Sequence, residues 1–207
     1  MKTLKFSGLY SSEFLLKLDF SRVEWMSFDL RPQSQQFITT NTLKDILPVV
    51  VPLKKICFEF ENENKKFLES YLSLYSQYQV NVELTHLFDL KQIENLNFSF
   101  IWHSFDTPSF SEIIRDERCL MVIIHEEDLE EAFIWEHIKL AKFAGKKIFL
   151  KLSDFSLIKQ DKDLFSFCDG FDLTVDSKFE YKYRTPNFDK IQEQLKMFTD
   201  TNLEGRV

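Results

Sequence analysis

Apolar runs of strand length alternate with helix-period patterns along most of the chain. Leu4–Phe6 is the first run, stopped at Ser7-Gly8. A helical pattern follows over Ser12–Leu18, with Phe14, Leu15 and Leu18 on one face. Glu24–Leu30 reads as a second strand, closed by Arg31-Pro32, and Thr40–Leu47 as a short helix, capped by Thr40 or Asn41 and expected to end at Pro48. Lys55–Phe60 is a third strand, and Asn62–Tyr78 a long amphipathic helix with Phe67, Tyr71, Leu74 and Tyr78 in 3.6-residue register. Val80–Leu84 and Phe98–His103 are strands, followed by helices over Asp89–Asn95 and Ser109–Arg115. Cys119–Ile124 is almost wholly apolar, as a strand buried on both faces should be. Leu129–Ala144 reads as helix with Gly145 at its C-cap. Strands at Lys147–Leu152 and Phe171–Val175 follow, with helices over Leu157–Phe165 and Asn187–Phe198.

Such alternation implies a parallel sheet. Eight βα units in 207 residues suggest an α/β fold of the closed (β/α)8 type, a TIM barrel, as a single domain over residues 1–207. The competing fold is an open doubly wound sheet, which usually carries a glycine-rich first turn. Ser7-Gly8-Leu9 is not one. No linker, repeat or low-complexity stretch divides the chain.

Composition narrows the function classes. Net charge is −7, and no basic stripe interleaved with aromatics is present, so nucleic acid is not an expected partner. No apolar run approaches the roughly 18 residues of a membrane span, and the N-terminus lacks an apolar signal core. The expected location is cytoplasmic. Gly is scarce, at four residues, and Phe abundant, at 23. Phosphate-cradling loops need glycine, so the shortage bears on chemistry.

Cys57, Cys119 and Cys168 lie far apart in apolar runs and read as buried free thiols. No CxxC, HExxH or Cys/His cluster marks a metal site, and no cofactor motif appears. His86, His103 and His137 read as structural polar residues, and Trp25, Trp102 and Trp135 as core. The acidic run Glu126–Asp128 with Glu130-Glu131 reads as a solvated loop and helix start. The tail "FEYKYRTPNF" reads as a loop packed by its own aromatics.

Five stretches in order carry a resemblance. "LKFSGLYSSEFLLKL" resembles the opening strand and helix of phosphoribosylanthranilate isomerase, with its Lys-Ile-Cys-Gly pattern. "WMSFDLRPQSQQFIT" is similar to that family's second strand and loop, with Phe28, Pro32, Ser34 and Ile38 in register. "NVELTH", "FLKLSDF" and "FDLTVDSKFE" follow in the family's order. The resemblance implies a (β/α)8 barrel related to an enzyme of tryptophan biosynthesis. That enzyme carries out an Amadori rearrangement of an aminoaldose phosphate, with a general base, a general acid and two glycine-rich phosphate turns.

At each of those positions this chain differs. The family's basic cysteine is Ser7, a hydroxyl that would need its own activating base. The acidic aspartate after strand six is His125, or Glu126 if the register slips by one residue. The arginine that holds the anthranilate carboxylate is Gln36. The glycine pair after strand seven is Ser153-Asp154, and the turn after strand eight reads Asp176-Ser177-Lys178. Carboxylates there would repel a phosphate dianion, by about 4 kcal/mol at 4 Å and an effective dielectric of 20.

Together these changes lead to the expectation of a divergent barrel, non-catalytic for the parent reaction, acting as a binding or scaffold protein. The alternatives are an isomerase that uses substitute residues, and a barrel repurposed for a less anionic ligand. Two partner classes stay open: a phosphorylated or small polar ligand at the C-terminal barrel mouth, and a protein of the same pathway.

Overall fold

The computed structural model describes residues 2–61, 63–84, 93, 96–104, 110–156, 158 and 166–204. Eight parallel strands close into a barrel in sequence order: β1 (Thr3–Ser7), β2 (Val23–Asp29), β3 (Lys55–Phe60), β4 (Val80–Leu84), β5 (Phe100–His103), β6 (Cys119–His125), β7 (Lys147–Leu152) and β8 (Gly170–Thr174). The ring is shut by β1 against β8, with Ser7 opposite Thr174. Among the described residues six α-helices surround it: α1 (Glu13–Lys17), α2 (Thr40–Val50), α3 (Lys65–Leu74), α4 (Phe110–Arg115), α5 (Ala132–Phe143) and α6 (Phe188–Glu204). The helices expected over Asp89–Asn95 and Leu157–Phe165 fall almost wholly outside the described residues.

The strands are read by period two. Outward residues such as Leu4, Phe6, Met26, Phe28, Ile56, Phe58, Val82, Phe100, Val122, Ile148, Leu150 and Phe171 join the layer between barrel and helices. Inward residues form a separate apolar plug of Trp25, Cys57, Ile101, Met121, Ile123 and Phe149. Above the plug, toward the C-terminal ends of the strands, the inward positions turn polar. Phe149 is the phenylalanine of the plug; the other buried ones of the core pack outside the barrel, so they leave its mouth to polar side chains.

Three local expectations change. Helix α2 runs through Pro48 to Val50. The bond that proline forgoes would have gone to the carbonyl of Lys44, an exposed residue whose carbonyl water can serve. Trp135 is 41% exposed on α5, not core, because its helix turns Ile134, His137, Ile138 and Ala141 inward instead. The aromatic tail folds into a small antiparallel hairpin, β9 (Glu180–Lys182) with β10 (Thr185–Pro186), which buries Phe179 and exposes Tyr181 and Tyr183. The three thiols are free and buried. Among the described residues no helix is long and apolar enough to cross a membrane.

Candidate functional site at the C-terminal mouth of the barrel

The turn after β1 fixes the first side chain of the site. Gly8 has φ +84°, and a Cβ there would lie 2.7 Å from the Val175 carbonyl oxygen, so only glycine fits. This tight turn leaves Ser7 as the last inward residue of β1, 3% exposed. Its hydroxyl donates to Asp172 Oδ1 at 2.7 Å and accepts from Lys5 Nζ at 2.5 Å. Lys5 Nζ also reaches Asp172 Oδ2 at 2.8 Å and Glu83 Oε1 at 3.0 Å. Burial works against the Lys5 charge, but the Asp172 and Glu83 carboxylates outweigh it and raise its pKa. The serine is therefore a hydrogen-bonded link in a buried ion cluster, and its carboxylate neighbour is already neutralised by an ammonium.

From Glu83 the cluster continues around the ring. Ser27 donates to Glu83 Oε2 at 2.6 Å, and His103 Nε2 lies 2.7 Å from Glu83 Oε1. His103 Nδ1 meets His125 Nε2 at 2.7 Å, and His125 Nδ1 faces Glu127 at 3.4 Å. Desolvation lowers the His103 pKa to about 4, against the opposing pull of Glu83, so its imidazole is neutral at pH 7. Burial would raise the Glu83 pKa, yet Lys5, His103 and Ser27 hold it well below the usual carboxylate range. Glu59 follows the opposite course. Burial, then Glu83 and Asp29, push it up to about 8 despite Arg31, whose Nη2 reaches Glu59 Oε1 at 2.9 Å and Asp29 Oδ2 at 2.6 Å.

The residues singled out from sequence divide into two groups. Ser7 and His125 are brought into one network through Lys5, Glu83 and His103. His125 is inward, two residues beyond Ile123 of the plug, whereas Glu126 turns away to β7. Gln36, Ser153, Asp154 and Ser177 stay outside that network. Gln36 packs against Gly8 and bonds to Ser34. Ser153 gives both its backbone N–H and its hydroxyl to Glu126 Oε2, each at 3.0 Å. Asp154 accepts from the backbone N–H of Ser156 at 2.7 Å and from Gln194. Burial opposes the Asp154 charge, but those bonds win and lower its pKa. Ser177 is exposed at the start of a 3-10 turn, where Asp176 Oδ1 takes the Lys178 N–H at 2.8 Å.

Lys5, Asp29, Glu59, Glu83, His103 and Asp172 escaped sequence reading as site residues. Their signal is a lone polar residue between apolar ones in a buried strand: Leu4-Lys5-Phe6, Phe58-Glu59-Phe60, Val82-Glu83-Leu84, Phe171-Asp172-Leu173. His103, expected to be a structural histidine apart from acids, lies against two of them. Glu59, Glu83 and His103 come from three adjacent strands, so no local spacing betrays them. His137, by contrast, is structural: it stacks on Phe110 at 3.7 Å and bonds Ser104 at 2.8 Å. His86 lies outside the described residues.

No protein-family profile matches the chain, and no curated protein is similar to it in sequence. Solved structures are similar in fold. Phosphoribosylanthranilate isomerase from Thermus thermophilus superposes with a TM-score of 0.72 over 96% of this chain and 99% of that one, at 14% identity. The chain shares the (β/α)8 barrel fold of this isomerase. The Thermotoga maritima isomerase gives 0.70 over 95% and 98%, at 16% identity. A phosphoribosylanthranilate isomerase in complex with reduced 1-(o-carboxyphenylamino)-1-deoxyribulose 5-phosphate gives 0.70 over 96% of each chain, at 15% identity. At these identities the likeness carries the fold alone, and activity is argued from the site.

Proposed function

We propose that this isomerase-like barrel has lost the parent Amadori rearrangement and serves as a binding or scaffold protein, with a small polar ligand at its C-terminal mouth or a protein of the same pathway as partner. One observation carries the reading. Backbone N–H groups in both turns that the family uses for phosphate are taken by the chain's own carboxylates: Ser153 by Glu126, Ser156 by Asp154, Lys178 by Asp176. A phosphate would have to displace these anions and sit beside them, where charge repulsion opposes it. Ser7, ion-clustered as described, adds to the case.

A second reading rests on His125. The resemblance puts the family's acid at His125, which is inward and held by His103, as a proton donor should be. Under this reading the chain remains an isomerase with His125 as acid.

Titration with reduced 1-(o-carboxyphenylamino)-1-deoxyribulose 5-phosphate, followed calorimetrically, separates the two. The first reading expects no saturable heat up to millimolar analogue with folded protein, and no rescue of a tryptophan auxotroph lacking the isomerase. Micromolar binding together with rescue would overturn it in favour of the second.

A further inference from the structure

The inward ring at β3, β4 and β5 ends in one glutamate, a second glutamate and a histidine. Their donor atoms lie within 4.8 Å of one another, and all three side chains are buried. We propose that Glu59, Glu83 and His103 form a binding site for one divalent first-row transition-metal ion. Imidazole nitrogen with two carboxylate oxygens is a donor set that suits Zn(II), Mn(II), Fe(II) or Co(II). Two donors at about 2.1 Å from a tetrahedral ion stand about 3.4 Å apart, so the widest pair closes by at most about 1.4 Å, within reach of side-chain rotation.

Three further features fit. First, each donor residue is oriented by a neighbour. Glu83 Oε2 is held by Ser27, Glu59 Oε1 by Arg31, and His103 Nδ1 by His125. With a metal on His103 Nε2, the ring proton moves to Nδ1 and is donated to His125, the outer-partner pattern of metal-bound histidines. Second, buried carboxyl groups outnumber the cations beside them. Asp29, Glu59, Glu83 and Asp172 are buried together, while Lys5 and Arg31 are the cations paired with them. Even with half-buried Lys151 of β7 counted, the carboxyl groups are in excess. The surplus group must hold either a proton or a metal ion, and a dication fits where two of the four meet His103. Third, three protein donors leave coordination positions for water or a ligand, and His125, 23% exposed, marks the side open to the mouth. Lys5 does not compete for the site. Asp172 and Ser7 anchor it on the β8 side, and a carboxylate oxygen accepts both an ammonium hydrogen bond and a metal.

The proposal is independent of phosphate-analogue binding, because none of the three donors lies in the turns discussed above. The test is titration of chelator-treated protein with Co(II), read by calorimetry and by the visible absorption of the bound ion. The expected result is one equivalent bound with micromolar or tighter Kd. Glu59→Gln and His103→Asn should each weaken binding at least ten-fold and alter the Co(II) spectrum, while His137→Gln leaves both unchanged. Far-ultraviolet circular dichroism verifies that each variant is folded. Binding weaker than millimolar overturns the proposal. So does tight binding that Glu59→Gln and His103→Asn both leave intact, which would place the ion elsewhere, as on the acidic run after β6. If one variant fails to fold, the other decides.

Discussion

Replacing Lys5 by methionine removes the positive centre of the barrel while keeping most of its volume. Lys5 Nζ lies 2.8 Å from Asp172 Oδ2 and 3.0 Å from Glu83 Oε1, with no exposed surface. At an effective dielectric of 20 each contact is an attraction of about 6 kcal/mol, most of it offset by the desolvation of the ions. Lys5→Met deletes the attraction and leaves the Glu83 and Asp172 carboxylates buried without it. The expected loss is about 3–5 kcal/mol, a large part of the roughly 5–15 kcal/mol available to a domain. Urea unfolding followed by tryptophan fluorescence reads it, since Trp25 lies in the plug beneath the cluster. Adding Asp172→Asn to Lys5→Met removes one stranded charge and should recover part of the loss. A Lys5→Met variant within 1 kcal/mol of the parent protein, or a double variant weaker than Lys5→Met alone, would refute the account of Lys5 as the paired cation of Glu83 and Asp172.

Other outcomes follow from single contacts. Gly8→Ala forces a side chain onto a left-handed backbone against the Val175 carbonyl, and thermal unfolding should show a loss of about 1–3 kcal/mol. Thr39→Ala deletes the oxygen that accepts the Thr42 N–H at the start of α2, for about 1 kcal/mol in the same assay. Arg118 ties the carbonyls of Ile93 and Leu96 at 2.7 and 2.8 Å, so Arg118→Ala should cost about 1.5–3 kcal/mol and speed hydrogen exchange at Leu96. Burial pushes the Cys57 thiol well above its usual range and Cys119 and Cys168 up to about 12, so an aromatic disulfide reagent at pH 8 should find no fast thiol in the folded protein and three after denaturation.

The order of strands and helices was legible because each strand is a compact apolar run and each main helix an amphipathic one. Lys55–Phe60, Val80–Leu84 and Lys147–Leu152 form where the pattern puts them. Boundaries drifted where local signals were overridden. Pro48 was tolerated in a last turn whose affected carbonyl belongs to an exposed residue; α2 is capped by Thr39 rather than Thr40 or Asn41, and α3 starts at Lys65 behind its cap Asn64, which accepts the Phe67 N–H. Ser7 and His125 were visible as candidates because a family resemblance drew attention to strand ends. The partners that give them meaning were not.

Sequence alone determined the period of each element, the alternation that implies a parallel barrel, and the absence of glycine from the turns after β7 and β8. These are properties of neighbouring residues, set by steric and hydrophobic rules that act over a few positions. Only the tertiary structure decided which polar residues meet. Lys5 reaches Glu83 and Asp172 across 78 and 167 residues of sequence, because closing the ring brings β1, β4 and β8 to one interior. Inside that small, buried space, charges interact strongly and must be matched together, which is why the site is a property of the closed barrel and of no single segment.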